Sequence, residues 1–315
     1  MLDLAAIRAA HDRIRPYVHQ TPVLTSARLD TATGASLFFK CENFQKVGAF
    51  KARGATNAVF ALDDESAARG VATHSSGNHA AALSRAARLR GIPAHIVMPS
   101  NTLEVKVRAV EGYGGKITLC EPNERARQET CARIVAETGA TLIHPFENEN
   151  VMAGQGTVAI ELLEDVPNLD LILCPVGGGG LLSGIAVAAK ALRPTNRVIA
   201  AEPAGAADAA ASFQQRKQVR LDKVETIADG LRTNLGGPNF PLIQRYVDDV
   251  VTVTEASIVA AMRTIWETMK IVIEPSAAVG YAAILEGKAE VEGMRVGIIV
   301  TGGNVDLDAL PWRKN

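Results

Sequence analysis

Lys51 stands in the stretch 39–55, FKCENFQKVGAFKARGA, between the aromatic Phe50 and the small residues Ala52 and Gly54. A lysine so flanked can sit partly out of water, where its pKa falls and its amine becomes a nucleophile. The plain alternative is a solvated lysine at the start of a helix. A second segment, Thr73-His74-Ser75-Ser76-Gly77-Asn78-His79, runs into the helical pattern AAALSRAARLRG. Hydroxyls and amides gathered at a helix N-terminus make a seat for an anion, or else an ordinary N-cap. Four consecutive glycines, Gly177, Gly178, Gly179 and Gly180, follow the apolar run 171–176 and precede a helical pattern at 181–192. Their backbone can turn sharply and present amides to a phosphate, with the helix dipole adding to the attraction. The same strand, glycine loop and helix, followed by 198–201 and Glu202, imitate a dinucleotide-binding unit. The G-x-G-x-x-G spacing fails there, because Leu182 or Ser183 falls where the last glycine belongs.

Two further groups carry charge. Glu202 and Asp208 bracket Ala206 in AAEPAGAADAA. Two carboxylates and a carbonyl on a short loop suit a hard cation such as Mg²⁺, Mn²⁺ or Ca²⁺; a pair of solvated acids at a strand end is the other reading. Arg127 lies in the helical pattern 123–138, whose buried stripe by i, i+3, i+4 spacing is Cys131, Ile134, Val135 and Thr138. It stands four residues before Cys131 and seven before Ile134, so it points along that inward stripe. An inward arginine needs a carboxylate or phosphate partner, unless it is held in a structural ion pair or snorkels to water.

The elements that must position these groups are strands and helices in alternation. Candidate strands lie at 36–39, 70–73, 95–98, 116–120, 141–144, 171–176, 198–201, 250–253 and 296–300, with alanine-rich helical patterns between them. Such βα alternation argues for an α/β protein of parallel sheets with helices on both faces. The opening MLDLAAIRAAHDRIRP reads as an amphipathic helix ending before Pro16; its early Asp3 and broken apolar run are unlike a secretory signal. Hydrophobic residues make up 47% of the chain and charged residues 21%, enough for a large core. A net charge of −1 with no basic run gives no footprint for nucleic acid. No apolar stretch reaches the roughly 18 residues of a membrane span. Cys41, Cys120, Cys131 and Cys174 lack C-x-x-C spacing and read as reduced, mostly buried thiols of a cytoplasmic protein.

The Lys51 stretch closely resembles the cofactor-lysine segment of the fold type II pyridoxal-phosphate enzymes, in their serine/threonine dehydratase and serine racemase branch. That branch reads K-x-E-x-x-Q-x-x-G-x-F-K-x-R-G-A, which Lys40, Glu42, Gln45, Gly48, Phe50, Lys51, Arg53, Gly54 and Ala55 fit. THSSGNH, A-G-Q-G-T at 153–157, the glycine run, TIADGL at 226–231, Glu274-Pro275-Ser276-Ala277 and Thr301-Gly302-Gly303-Asn304 are further signatures of it. The resemblance implies two open, mostly parallel twisted sheets flanked by helices. It implies a larger domain, 1–69 with 148–315, and a smaller inserted one, 70–147, with the cofactor between them.

It also implies roles. Lys51 would form the Schiff base with pyridoxal phosphate, beside Phe50. Ser75, Ser76 and Asn78 would contact substrate or cofactor, with Ser76 matching the second acid/base of racemases. Gly177, Gly178, Gly179 and Gly180 would hold the phosphate, and the Thr301 hydroxyl would face the ring nitrogen. Glu202, Ala206 and Asp208 would bind a structural or activating divalent cation, although an aspartate of the mammalian version is Ala207 here. Arg127, with His74, would read a second carboxylate on the substrate, whereas plain threonine dehydratases carry a small residue in place of the arginine. Phe146 resembles dehydratases and departs from mammalian racemases, which carry a polar residue there. The chain ends at Asn315 with no regulatory extension of the kind that biosynthetic threonine dehydratases carry. The expectation is an ammonia-lyase that turns 3-hydroxyaspartate into oxaloacetate and ammonia, acting as a homodimer. Serine or threonine dehydration comes second and serine racemisation third. A pyridoxal-phosphate carrier without lyase activity is the reading from another class.

Overall fold

Stretches rich in Val, Ile, Leu and Ala with no charge in their centres form strands covered on both faces, as parallel sheets require. The computed structural model describes residues 2–312. Its strands are β1 (Val23–Leu24), β2 (Ser36–Cys41), β3 (Val71–His74), β4 (Ala94–Pro99), β5 (Lys116–Cys120), β6 (Thr141–Leu142), β7 (Leu171–Pro175), β8 (Arg197–Pro203), β9 (Asp249–Val253) and β10 (Arg295–Val300). They form a six-stranded sheet of order β1-β2-β10-β7-β8-β9 and a four-stranded sheet of order β5-β4-β3-β6. Only the β1–β2 pair is antiparallel. The expected α/β class with two open, mostly parallel sheets is therefore what the chain adopts.

The helix Glu149–Asp165 is buried along nearly its whole length and carries the architecture's closest crossing. A Cβ on Gly154 would lie 2.6 Å from the Gly54 Cα, so only glycine lets this helix touch the helix Lys51–Phe60. From that helix, Ala55, Ala58 and Val59 join the core beneath the four-stranded sheet. The helix Gly180–Leu192 packs into the core of the larger sheet with Ile185, Ala186, Val187, Ala188 and Ala189.

Two expectations shift. The strand expected at 141–144 stops at Leu142, because His144 turns back and its Nδ1 accepts the Glu147 N–H at 3.1 Å. On the helix Glu124–Thr138, Cys131 and Ile134 are buried and Val135 half-buried, but Thr138 is exposed. Thr138 is the last helical residue, past the edge of the sheet, and its hydroxyl donates to the Ile134 carbonyl. Cys41, Cys131 and Cys174 are buried free thiols, and Cys120 is half-buried. No described helix is long and apolar enough to cross a membrane.

Candidate active site

Each candidate segment follows the carboxyl end of a parallel strand, where open α/β sheets place their ligands. Lys51 follows β2, Ser75 to Asn78 follow β3, the glycines follow β7 and Thr301 follows β10. Between β2 and Lys51 the chain makes two short 3₁₀ turns, with Val47 and Gly48 in the left-handed region (φ 56° and 68°). Ala49 then bridges to Gly302, and the Phe50 amide donates to the Thr301 carbonyl at 3.0 Å. The loop after β2 is thus stitched to the loop after β10. Lys51 opens its helix, and its Nζ donates to the Pro145 carbonyl at 2.8 Å and lies 5.0 Å from the Phe50 ring centre. Burial away from water pulls its amine down to about 8.

Beneath Lys51 sits a buried ionic cluster. Arg53 is fully buried and forks to two carboxylates, reaching Glu42 at 2.8 Å and Glu161 at 2.6–2.7 Å. Lys40 completes it, 2.8 Å from Glu161 Oε2 and donating to the Thr21 carbonyl at 2.7 Å. The positions shared with the dehydratase and racemase motif at 40, 42 and 53 are therefore one structural cluster that clamps β2 and two helices around Lys51.

Ser75, Ser76 and Asn78 are half-buried at the start of the helix Asn78–Arg90. A Cβ on Gly77 would meet nothing within 4 Å, so this turn faces open space. Asn78 reaches both oxygens of the buried Glu274 at 3.2 Å, and Asn304 donates to the Asn78 Oδ1 at 2.9 Å. Burial raises the Glu274 carboxyl to about 7, with the Asp229 charge adding to the effect. Among the described residues the buried Thr301 hydroxyl has no hydrogen-bond partner.

The glycine run is wholly buried. Among the described residues, the amides of Gly177, Gly178 and Gly179 find no acceptor. Buried amides left open in this way fit an incoming anion such as a phosphate. A side chain on Gly178 would strike the Phe146 ring, which covers the loop. Phe146 also packs edge-on against His144, their ring centres 4.6 Å apart, and His144 against His74 at 5.3 Å. Burial, with His74 and Lys51 nearby, lowers His144 to about 4; burial and then Lys51 lower His79 to about 3. Burial and the Arg127 charge lower His74 as well. Each shift favours the neutral imidazole. Arg127 itself is half-buried, and its guanidinium makes no hydrogen bond or ion pair with another described residue.

Glu202, the penultimate residue of β8, and Asp208, the first residue of the helix Asp208–Gln215, lie apart from these groups, and both are buried. Glu202 accepts from the Ala209 and Ala210 amides and Asp208 from Leu235, while Asp208 Oδ1 has no partner among the described residues. Burial raises Glu202 to about 8 and Asp208 to about 6, each carboxylate wanting a positive neighbour. Among the described residues no group of three or more His, Cys, Asp or Glu is arranged for a metal. A cation here would rest on the two carboxylates and the buried Ala206, whose carbonyl is the third ligand expected. Two open surface clefts, of about 630 and 540 Å³, contain none of these residues.

Sequence reasoning passed over His144, the Pro145 carbonyl, Glu274 and Asn239 as members of the site. The HPF and EPSA segments were visible signals for the first three. Asn239 had none, since it resembles an ordinary helix cap.

A family model described as "Pyridoxal-phosphate dependent enzyme" matches residues 14–302. A beta-hydroxyaspartate dehydratase of Paracoccus denitrificans is 53% identical, over 96% of each chain. The solved structure of maize serine racemase is 52% identical, covers 98% of this chain and 95% of its own, and superposes with a TM-score of 0.96. A pyridoxal 5'-phosphate-dependent aspartate racemase of solved structure is 39% identical over 99% of this chain and 98% of its own, with a TM-score of 0.95.

Proposed function

From the premise that the chain belongs to the pyridoxal-phosphate-dependent enzyme family, we propose that it is an ammonia-lyase converting 3-hydroxyaspartate to oxaloacetate and ammonia. The observation that carries the substrate is Arg127: a half-buried guanidinium beside His74, with no anionic partner among the described residues. Such a cation calls for a carboxylate, and the substrate's distal carboxylate supplies one. The names of the Paracoccus dehydratase and the aspartate racemase, both proteins of dicarboxylic amino acids, support the same choice.

In this reading the substrate α-carboxylate sits on Ser75, Ser76 and the N-terminal amides of the helix Asn78–Arg90, where the dipole favours a negative charge. The Lys51 amine takes the Cα proton; its lowered pKa gives it a far larger unprotonated fraction near neutrality than an ordinary lysine has, as a general base requires. The Pro145 carbonyl holds that amine in place. Pyridoxal phosphate, when bound, supplies the sink for the electron pair left at Cα. The amides of Gly177, Gly178, Gly179 and Gly180 would hold its phosphate, Phe50 and Asn78 would flank it, and the Thr301 hydroxyl would serve its ring nitrogen. With the β-hydroxyl lost as water, the enamine hydrolyses to the 2-oxo acid and ammonia.

Glu202, Asp208 and the Ala206 carbonyl would hold Mg²⁺, Mn²⁺ or Ca²⁺ away from the reacting atoms. The reading also divides the chain into a larger unit, 1–69 with 148–315, and a smaller one, 70–147, and makes the protein a cytoplasmic homodimer.

The second reading is dehydration of serine or threonine, to which Phe146 lends itself. The third is serine racemisation with a dehydratase side activity, favoured by Ser76, which lies half-buried with no hydrogen bond to another described residue, and by the maize relative's name. The deciding experiment measures 2-oxo acid and D-serine formation by the cofactor-loaded protein from 3-hydroxyaspartate isomers, L-serine and L-threonine. A large kcat/KM preference for hydroxyaspartate is expected; a preference for serine or threonine refutes the proposal.

A further inference from the structure

Asn239 stands immediately before the helix Phe240–Tyr246, where an asparagine normally caps the first amides through its side-chain oxygen. Here it does not. No side-chain capping bond is made, and among the described residues the buried Oδ1 has no partner. Instead Nδ2 donates to two carbonyls, Phe146 and Gly178, each at 2.9 Å. Carbonyl oxygens only accept, so this contact fixes which way the amide faces. The residue is fully buried, and a Cβ on Gly179 would lie 2.9 Å from the Asn239 Cβ.

The two carbonyls belong to the two halves of the site. Phe146 follows Pro145, whose carbonyl accepts from Lys51 Nζ. Gly178 lies in the glycine loop, and its carbonyl also accepts from the Gly236 amide at 3.1 Å. The peptide unit is planar and trans, so its C=O and N–H point in opposite directions. Holding the Gly178 carbonyl against Asn239 therefore aims the Gly179 N–H the other way, off the side where Asn239 packs. On the reading that this loop seats the cofactor phosphate, we infer that Asn239 is a positioning residue. Its one amide locks the glycine loop to the segment carrying the lysine's acceptor, and so sets how tightly the phosphate is held.

The test uses full-length protein freed of cofactor with an amine trap. It is titrated with pyridoxal phosphate and, separately, with pyridoxal, which lacks the phosphate, following the absorbance of the lysine-bound cofactor. Wild type should prefer pyridoxal phosphate strongly. Asn239→Ala should weaken pyridoxal phosphate about tenfold or more, from two lost hydrogen bonds, and leave pyridoxal within about twofold. Should Asn239→Ala not fold, Asn239→Thr carries the test, since one hydroxyl proton cannot serve both carbonyls. Its preference should fall between those of wild type and a loop with no donor. A phosphate preference equal to that of wild type, or an equal loss with both compounds, overturns the inference. A wild-type protein with no preference overturns the phosphate-seat reading instead.

Discussion

Replacing Arg127 by alanine separates the substrate readings, and the structure sets the size of the effect. Removing one partner of a fully buried charge pair costs roughly 2–5 kcal/mol, and of an exposed pair roughly 0–1 kcal/mol. Arg127 is half-buried, so its contact with a distal carboxylate is worth about 2 kcal/mol, or about 30-fold in kcat/KM. L-Serine has no such carboxylate, and its kcat/KM should stay within about twofold. Arg127→Lys keeps the charge but loses the planar fork, and should fall between the two. Because the guanidinium binds no other described residue, thermal stability should hardly move. The assay is the initial rate of 2-oxo acid release at varied concentrations of 3-hydroxyaspartate and L-serine, repeated at high salt, which should narrow the wild-type preference by screening. A similar fall with both substrates would show that Arg127 serves the fold; no fall with hydroxyaspartate would remove it from the site.

Four further outcomes follow from groups already placed. In cofactor-free protein, the rate of Lys51 modification by an amine-selective reagent should rise with a midpoint near pH 8, set by burial; a midpoint near 10.5 contradicts the enclosed amine. Glu202 and Asp208 bind protons more tightly folded than unfolded, so in metal-free protein their stabilising effect is present at low pH. It is lost as pH rises from about 4 towards about 8. Added Mg²⁺ should cancel that loss in thermal melts, and a loss unaffected by divalent cations would argue against a cation site. Gly178→Ala should cost about 1–3 kcal/mol by overpacking against Phe146 and also weaken cofactor binding; unchanged melting and binding would mean the Phe146 ring moves aside freely. Arg53→Met leaves the buried Glu42 without its guanidinium partner and should destabilise by roughly 3–5 kcal/mol in denaturant unfolding. A smaller loss would mean that Lys40 and water compensate.

What could be read before folding depended on how far apart the cooperating residues lie in the chain. The strand, glycine loop and helix at 171–192 are one continuous segment, and a turn, a dipole and a set of amides are local properties, so their chemistry is legible from neighbours alone. The same holds for the turn that ends at Asn78. The partners of Arg53 and Lys51 are a different matter. Glu161 is 108 residues from Arg53, and Pro145 is 94 from Lys51. No periodicity links such positions. They meet because the helices Lys51–Phe60 and Glu149–Asp165 cross closely at Gly54 and Gly154, a contact between backbones far apart in the chain. Helical spacing failed at Thr138 for a related reason: it says which residues share a face, not where the sheet beneath that face ends. Asn239 marks the limit most sharply. Its position before Phe240 and Pro241 suits an N-cap, and only the arrival of the Phe146 and Gly178 carbonyls turns its amide from the helix towards the lysine and the glycines. A side chain whose local use is satisfied in principle but declined in the fold is therefore a better pointer to long-range function than one whose motif is complete.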